Sequence, residues 1–229
     1  MEHPYLVMVK FFELIGFGHF ARAYPHVIYS WFVMILLIIF AFLAVRKIGM
    51  IPSRAQNVFE IIVAGIEEFM VDITGEEGRK FFPLIATVFL YIATCNLLGL
   101  IPGFYPPTAS INTTLSCALT VVVFTHVIGV KFHGAKYIKH FLGPIPALAP
   151  LFFPIEVVGH CARVLSLTLR LFGNIMGEDL VLAILLFLAG KFMAPLPMMF
   201  LAVFTSAVQA FIFTLLAMMY FAGSMEHAH

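Results

Sequence analysis

A single arginine, Arg170, stands inside the predominantly apolar stretch Val164–Leu188, within Leu169-Arg170-Leu171-Phe172-Gly173-Asn174. No other feature constrains the fold as tightly. A stretch of this length and composition reads as a helix crossing a bilayer, and an arginine in hydrocarbon costs about 2.5 to 17 kcal/mol. The guanidinium does not lose its proton in a protein, so Arg170 cannot neutralise itself as a buried lysine or histidine can. The fold must therefore bring it a partner, water, or both.

Composition sets the solvent. Of 229 residues, 62% are apolar and 11% charged, against about 25% charged in soluble domains, and the mean hydropathy is +1.04. The chain reads as an all-α integral membrane protein, a single membrane domain over 1–229. A formal net charge of +1 gives no reason to expect a nucleic-acid partner. Cys95, Cys117 and Cys161 form no CxxC pair and read as buried thiols, with no metal or cofactor implied. Residues 1–18 carry Lys10 and Glu13 and no small-residue cleavage site, unlike a signal peptide.

The chain divides into about five spans. Residues 1–26 form an N-terminal segment, and the first span is 27–45, with Tyr29 and Trp31 in an interfacial position and Arg46-Lys47 closing it. Over 52–80, Glu60, Glu67, Glu68, Asp72, Glu76 and Glu77 alternate at helical spacing with Phe59, Ile62, Val63, Ile66, Phe69, Met70 and Ile73. This predicts an amphipathic helix at the membrane surface or against another subunit, with Ser53 and Gln56 as a capping box. Spans at 81–101 and 111–130 follow; the latter carries Asn112, Thr113, Thr114, Ser116, Thr120, Thr125 and His126, a polar content that favours helix contacts over lipid. Asn112-Thr113-Thr114 also fits a glycosylation sequon, a pattern too short to carry weight. From 154 to 188 no strong stop occurs, so a continuous helix would be about 50 Å long against about 30 Å of hydrocarbon. It must tilt, bend or break, with Gly173 and Gly177 as the places to bend. Pro195 and Pro197 open the turn into a final helix at 198–222, so the last two helices form a long hairpin.

Basic residues predict the orientation. Arg46, Lys47, Arg54, Arg79, Lys80, Lys131, Lys136 and Lys139 fall on one side of the five spans, and Lys10, Arg22 and Lys191 on the other. The richer side is cytoplasmic by the positive-inside rule, which puts the N-terminus outside and the C-terminus, with His227 and His229 in a solvated tail, in the cytoplasm.

With Arg170 at zero on a helical wheel, Arg163 falls at about +20°, Glu156 and Asn174 at about +40°, Gly159 and Gly177 at about −20°, Ser166 at about −40° and Glu178 at about +80°. Val158, Leu165, Leu169, Phe172 and Ile175 collect on the opposite side. One face is thus polar and small along its whole length. Arg163 and Glu156, two turns apart, can pair. Arg170 has no acid at i±3 or i±4, so its counter-charge must come from elsewhere, and the small residues on its face would let another helix approach. The last helix carries a matching stripe of Ala202, Thr205, Ser206 and Gln209, with Gln209 facing Arg170.

Leu167-Thr168-Leu169-Arg170-Leu171-Phe172-Gly173-Asn174, then Gly177-Glu178, and then Gln209-Ala210-Phe211-Ile212-Phe213 resemble subunit a of the F-type ATP synthase. Asn96-Leu97-Leu98-Gly99-Leu100-Ile101-Pro102-Gly103 is similar to that family's second-span ending. The blocks stand in family order, and the likeness runs from about Pro52 to Phe221. The resemblance implies a proton-translocating stator in a bacterial inner membrane, facing a rotating ring of c subunits that each carry a membrane carboxylate, with peripheral-stalk b subunits among its partners. It implies that Arg170 is the essential rotor-facing charge, holding a deprotonated ring carboxylate transiently and blocking leakage between two offset half-channels. It further implies that Asn112, Asn174, Glu178 and Gln209 line or flank the outer half-channel, with Glu156, Gly159 and Ser166 on the cytoplasmic route. Asp179 competes with Glu178 as the proton relay, because the interval from Arg170 is one residue shorter here than in some members. Ala202 stands where some members place a titratable partner.

Other classes make different demands. No GxxxxGK[ST] is present, so nucleotide chemistry belongs to other subunits. A self-contained secondary transporter or ion channel would use Arg170 as a midplane anion site. An intramembrane hydrolase would need a His-x-x-x-His pair with an acid, or Gly-x-Ser-x-Gly, and the chain has neither.

Overall fold

The computed structural model describes residues 6–14, 16–45, 54–101, 103–134, 137, 149–189 and 195–225. Among these every regular element is helical: α1 Val7–Leu14, α2 Gly18–Ala23, α3 Pro25–Val45, α4 Arg54–Thr74, α5 Phe82–Gly99, α6 Ile111–His133, α7 Ala149–Ala189 and α8 Pro195–Met225. Short 3-10 turns at Glu76–Phe81 and Pro107–Ala109 lead into α5 and α6. Five helical stretches, including α3, α5 (with the turn before it), α6, α7 and α8, are long and apolar enough to cross a membrane.

Several boundaries depart from the sequence reading. The helix predicted over 52–80 stops at Thr74, because Gly75 adopts φ 73° and ψ 177°, a conformation open essentially to glycine alone. Arg79 then reaches back across the break to Glu67 at 2.8 Å, and within the following turn to Glu76 at 3.1 Å. Ser53 of the expected capping box lies outside the described residues, and the Gln56 amide donates to Glu60 at 2.7 Å instead. α7 starts at Ala149, five residues before Pro154, which sits inside the first turns, where a missing N–H removes at most one backbone bond. α8 starts at Pro195, because Pro195 and Pro197 occupy first-turn positions whose N–H groups have no intrahelical acceptor. At about 1.5 Å per residue, the 41 residues of α7 span about 62 Å, twice a hydrocarbon core, so this helix crosses steeply tilted or extends beyond it.

The core lies among α4, α5, α6, α7 and α8, where Met70, Ile85, Ile92, Val121, Ile128, Leu171, Phe213 and Phe221 are buried together. α4 joins it by one face only: Phe69 lies 5.2 Å from Phe211 of α8, ring to ring, while Ile61 and Ile62 stay exposed. A second cluster ties the N-terminal segment to α3 and α5 through Val9, Ala21, Ile28, Tyr29, Val33, Cys95 and Leu98. The Tyr29 hydroxyl accepts from the Met8 N–H and donates to the Gly103 carbonyl, each at 3.2 Å. On α2, Arg22 pairs with Glu13 of α1 at 2.7 Å and holds that carboxyl below its ordinary range. Of the three cysteines read as buried thiols, Cys95 is buried and Cys117 partly so, but Cys161 is exposed.

Gly75→Ala is expected to cost about 1 to 3 kcal/mol, because alanine cannot adopt that backbone conformation without strain. An SDS-unfolding titration of the purified chain in micelles measures the difference.

A polar array on either side of Arg170

α7 packs between α6 and α8, and this contact decides which of its faces points inward. The buried residues are Leu167, Thr168, Leu171 and Ile175, at about +60° to +160° from Arg170 on the wheel. Arg163, Ser166, Arg170, Gly173, Asn174 and Gly177 are exposed, and so are Val158, Leu165 and Leu169. The helix thus turns neither its polar stripe nor the apolar side opposite into the bundle. It buries the edge between them, so Arg170 stands on the open flank. Its hydrogen bond to this chain runs from Nη2 to the Ser166 Oγ at 3.3 Å. Among the described residues no carboxylate lies within ion-pairing distance of it.

One turn further along, the Asn174 Nδ2 donates to the Gln209 Oε1 of α8 at 2.6 Å. Gln209 therefore meets Asn174 rather than Arg170, because the inward rotation of α7 brings the +40° position to α8 and leaves 0° outside. A further turn on, the Thr205 hydroxyl donates to the Glu178 carboxylate. Thr205 thus supplies the α8 partner that Ala202 cannot. Gln209 and Ser206 are 2% and 1% exposed, and the Gln209 Nε2 and the Ser206 Oγ have no partner among the described residues. Buried polar atoms in that state call for water or a ligand.

A cavity of about 20 Å³ opens beside them, lined by Asn96, Pro106, Glu178, Asp179, Leu182 and Ala202 among others. That is room for one water molecule. Asn96, near the end of α5, is 2% exposed; it donates to the Ser206 carbonyl at 3.3 Å and accepts from the Thr108 hydroxyl at 2.8 Å. Gly99 allows the close approach of Pro106, since a Cβ there would collide with the proline ring. Asp179 lies near Tyr105, whose phenol is pushed above its ordinary range by burial and then by the Asp179 charge. Asn112 lies exposed at the start of α6, outside the cavity lining.

On the other side of Arg170, the Glu156 Oε1 lies 3.3 Å from the His160 Nε2, a contact that is an ion pair when the histidine is protonated and is not aligned as a hydrogen bond. The expected partner, Arg163, lies over the Tyr220 ring of α8, 5.5 Å from its centroid. One helical turn brings His160 to Glu156 more closely than two turns bring Arg163. The His126 Nδ1 is 2.9 Å from the Tyr137 hydroxyl, and the His126 and His160 rings are 4.5 Å apart. His133 reaches the Ser224 carbonyl at 3.2 Å and Lys131 stacks over Phe81, whereas Lys136, Lys139 and His140 lie outside the described residues. Sequence reasoning passed over Asn96, Thr108, Tyr105, Tyr137 and His160. Asn96 in an apolar span and His160 four residues after Glu156 were the available signals.

Membrane-length helices around carboxylates, amides and hydroxyls, with an arginine turned out of the bundle, define a multi-pass membrane protein that manages charge within the bilayer. The chain belongs to the ATP synthase A chain family, which it matches over residues 27–222. It is 62% identical to ATP synthase subunit a of Desulfosudis oleivorans, 58% to that of Syntrophobacter fumaroxidans and 55% to that of a Geobacter species, each over 100% of both chains. Membership makes it a non-catalytic membrane-sector subunit serving ATP synthesis and proton transport in a bacterial inner membrane.

Asn96→Leu keeps the branched shape but leaves the buried Thr108 hydroxyl without its acceptor. A loss of about 1 to 3 kcal/mol of stability is expected in the same unfolding titration.

Proposed function

We propose that this chain is the stator that couples proton flow to rotation, with Arg170 as the essential charge facing the carboxylates of a c-subunit ring. The observation that carries this reading is the position of Arg170: a permanent cation on the open flank of the bundle, with Ser166 as its hydrogen-bond partner and no carboxylate in reach among the described residues. A permanent cation embedded in a membrane needs an anion, and the smooth flank formed by Gly173 and Gly177, where an added Cβ would meet nothing, leaves space for a helix bearing one. Arginine suits the task because its planar fork holds a carboxylate firmly while the carboxylate is ionised, yet cannot itself carry the proton.

Two polar groupings on α7 fit two offset half-channels. Glu178 and Asp179, with Asn174, Gln209 and Asn112, form the outer route. Glu156 and Ser166 belong to the cytoplasmic one. Along the helix axis, Glu178 is about 12 Å from Arg170 on one side and Glu156 about 21 Å on the other, so the arginine separates them. Between Glu178 and Asp179 the relay role is shared: both line the water-sized cavity, and Glu178 is the one held by Thr205. The N-terminus then lies outside and the C-terminus in the cytoplasm, consistent with the distribution of basic residues, with α4 and the segments flanking it on the side of the peripheral-stalk b subunits.

In membranes containing the whole complex, Arg170→Ala is expected to abolish ATP-driven proton pumping, followed by a pH-sensitive dye. Pumping at the wild-type rate would overturn the assignment. Arg170→Lys keeps the charge without the fork and is expected to lower coupled pumping about tenfold or more, the scale of one lost charge-assisted hydrogen bond.

A further inference from the structure

Near the far end of α7, Glu156 of the cytoplasmic route stands in a group of titratable side chains whose other members, His160, His126 and Tyr137, have no role so far. His160 and Glu156 come from α7, His126 from α6 and Tyr137 from beyond the end of α6. Glu156 Oε1 lies 3.3 Å from His160 Nε2, the His160 and His126 rings are 4.5 Å apart at 64°, and Tyr137 OH lies 2.9 Å from His126 Nδ1. Four groups that can exchange protons therefore follow one another from α7 across to α6 and outward. The arrangement is built rather than incidental. Tyr137 reaches His126 only because position 129, one turn along α6, is glycine; a Cβ there would collide with the phenol ring. The His160 side chain is 13% exposed and that of Glu156 30%, so the inner half of the row is screened from solvent while remaining reachable.

The charged groups around this row stand on α6 and α7. From α7, Arg163 lies one turn beyond His160, with its guanidinium over Tyr220 of α8. Further along α6, Lys131 faces Phe81 and His133 faces the Ser224 carbonyl of α8. Among these groups Glu156 is the single carboxylate, and it touches His160. Imidazole can both accept and donate a proton, so two histidine rings in contact can hand one on.

We propose that Tyr137, His126, His160 and Glu156 form a proton relay that connects the cytoplasmic solution to the cytoplasmic half-channel, with His160 as its central carrier. The proposal rests on the stator reading. In the pumping direction, a proton taken up at His126 passes to His160 as one N–H bond breaks and another forms. His160 gives it to the Glu156 carboxylate, which releases it toward Ser166 and the rotor. Each group ends in the protonation state in which it began, so no other reactant is consumed.

The test uses the whole complex reconstituted in vesicles, with ATP-driven pumping measured while the pH is varied separately on the two sides. His160→Ala and His126→Gln, on different helices, are each expected to lower pumping about tenfold. Both should flatten its dependence on cytoplasmic-side pH around neutrality and leave the other side's profile unchanged. Imidazole added on the cytoplasmic side should restore pumping to His160→Ala. ATP hydrolysis reports how much complex has assembled. Wild-type rates and profiles in both variants would overturn the relay. So would a slower rate with unchanged profiles and no imidazole rescue, which would make the histidines packing residues. Arg170→Ala, measured alongside, separates the two readings: if it is inactive while the histidine variants behave as wild type, only the relay falls, and if it pumps normally, the stator reading falls.

Discussion

A guanidinium that cannot be neutralised, carried on a membrane-length helix, is the constraint that the packing of the two long helices has to accommodate. Arg163 and Arg170 lie two turns apart on one face of α7, and the fold treats them differently. Arg163 lies over the Tyr220 ring, where the aromatic quadrupole and the long aliphatic stem soften its cost. Among the described residues Arg170 has only the Ser166 hydroxyl, a weak partner for a full charge. An electrostatic demand this large, left unmet among the described residues, is what the proposed rotor-facing role of Arg170 would answer.

The orientation of α7 follows from the shape of its neighbours. Leu167, Leu171 and Ile175 fill the seam with α6 and α8, and this fixes the rotation of the helix about its axis. Once that rotation is set, the polar positions divide. Those at the inner edge, Asn174, Glu178 and His160, reach Gln209, Thr205 and His126 on adjoining helices. Those at the centre of the stripe remain outside. The same packing explains the two kinds of glycine in the bundle. Gly99 and Gly129 are places where Pro106 and Tyr137 press against the backbone, whereas Gly173 and Gly177 border open space.

The break at Gly75 shows how far periodicity reads. The pattern of acids and apolar residues continues through Lys80, but a backbone conformation that only glycine adopts readily ends α4 six residues earlier. The proline-based boundaries shifted in the opposite sense. Pro195 and Pro197 lie inside α8 rather than before it, since first-turn N–H groups have no intrahelical acceptor to lose, and Pro154 sits sixth in α7 at the cost of one backbone bond. These errors share one origin: a residue's effect on a helix depends on its position within it, which pattern alone does not fix.

The all-helical membrane character, the number of apolar spans, the exceptional status of Arg170 and the kinship of the chain were all legible in the amino-acid sequence, because each rests on composition, length or local spacing. Which edge of α7 turns inward was not. Nor was the pairing of Asn174 with Gln209 and of Glu178 with Thr205, the burial of Asn96 beside Ser206, or the meeting of His126 with His160. These were decided by tertiary packing, because they join residues up to 110 positions apart and depend on how three long helices rotate against one another to fill a common seam.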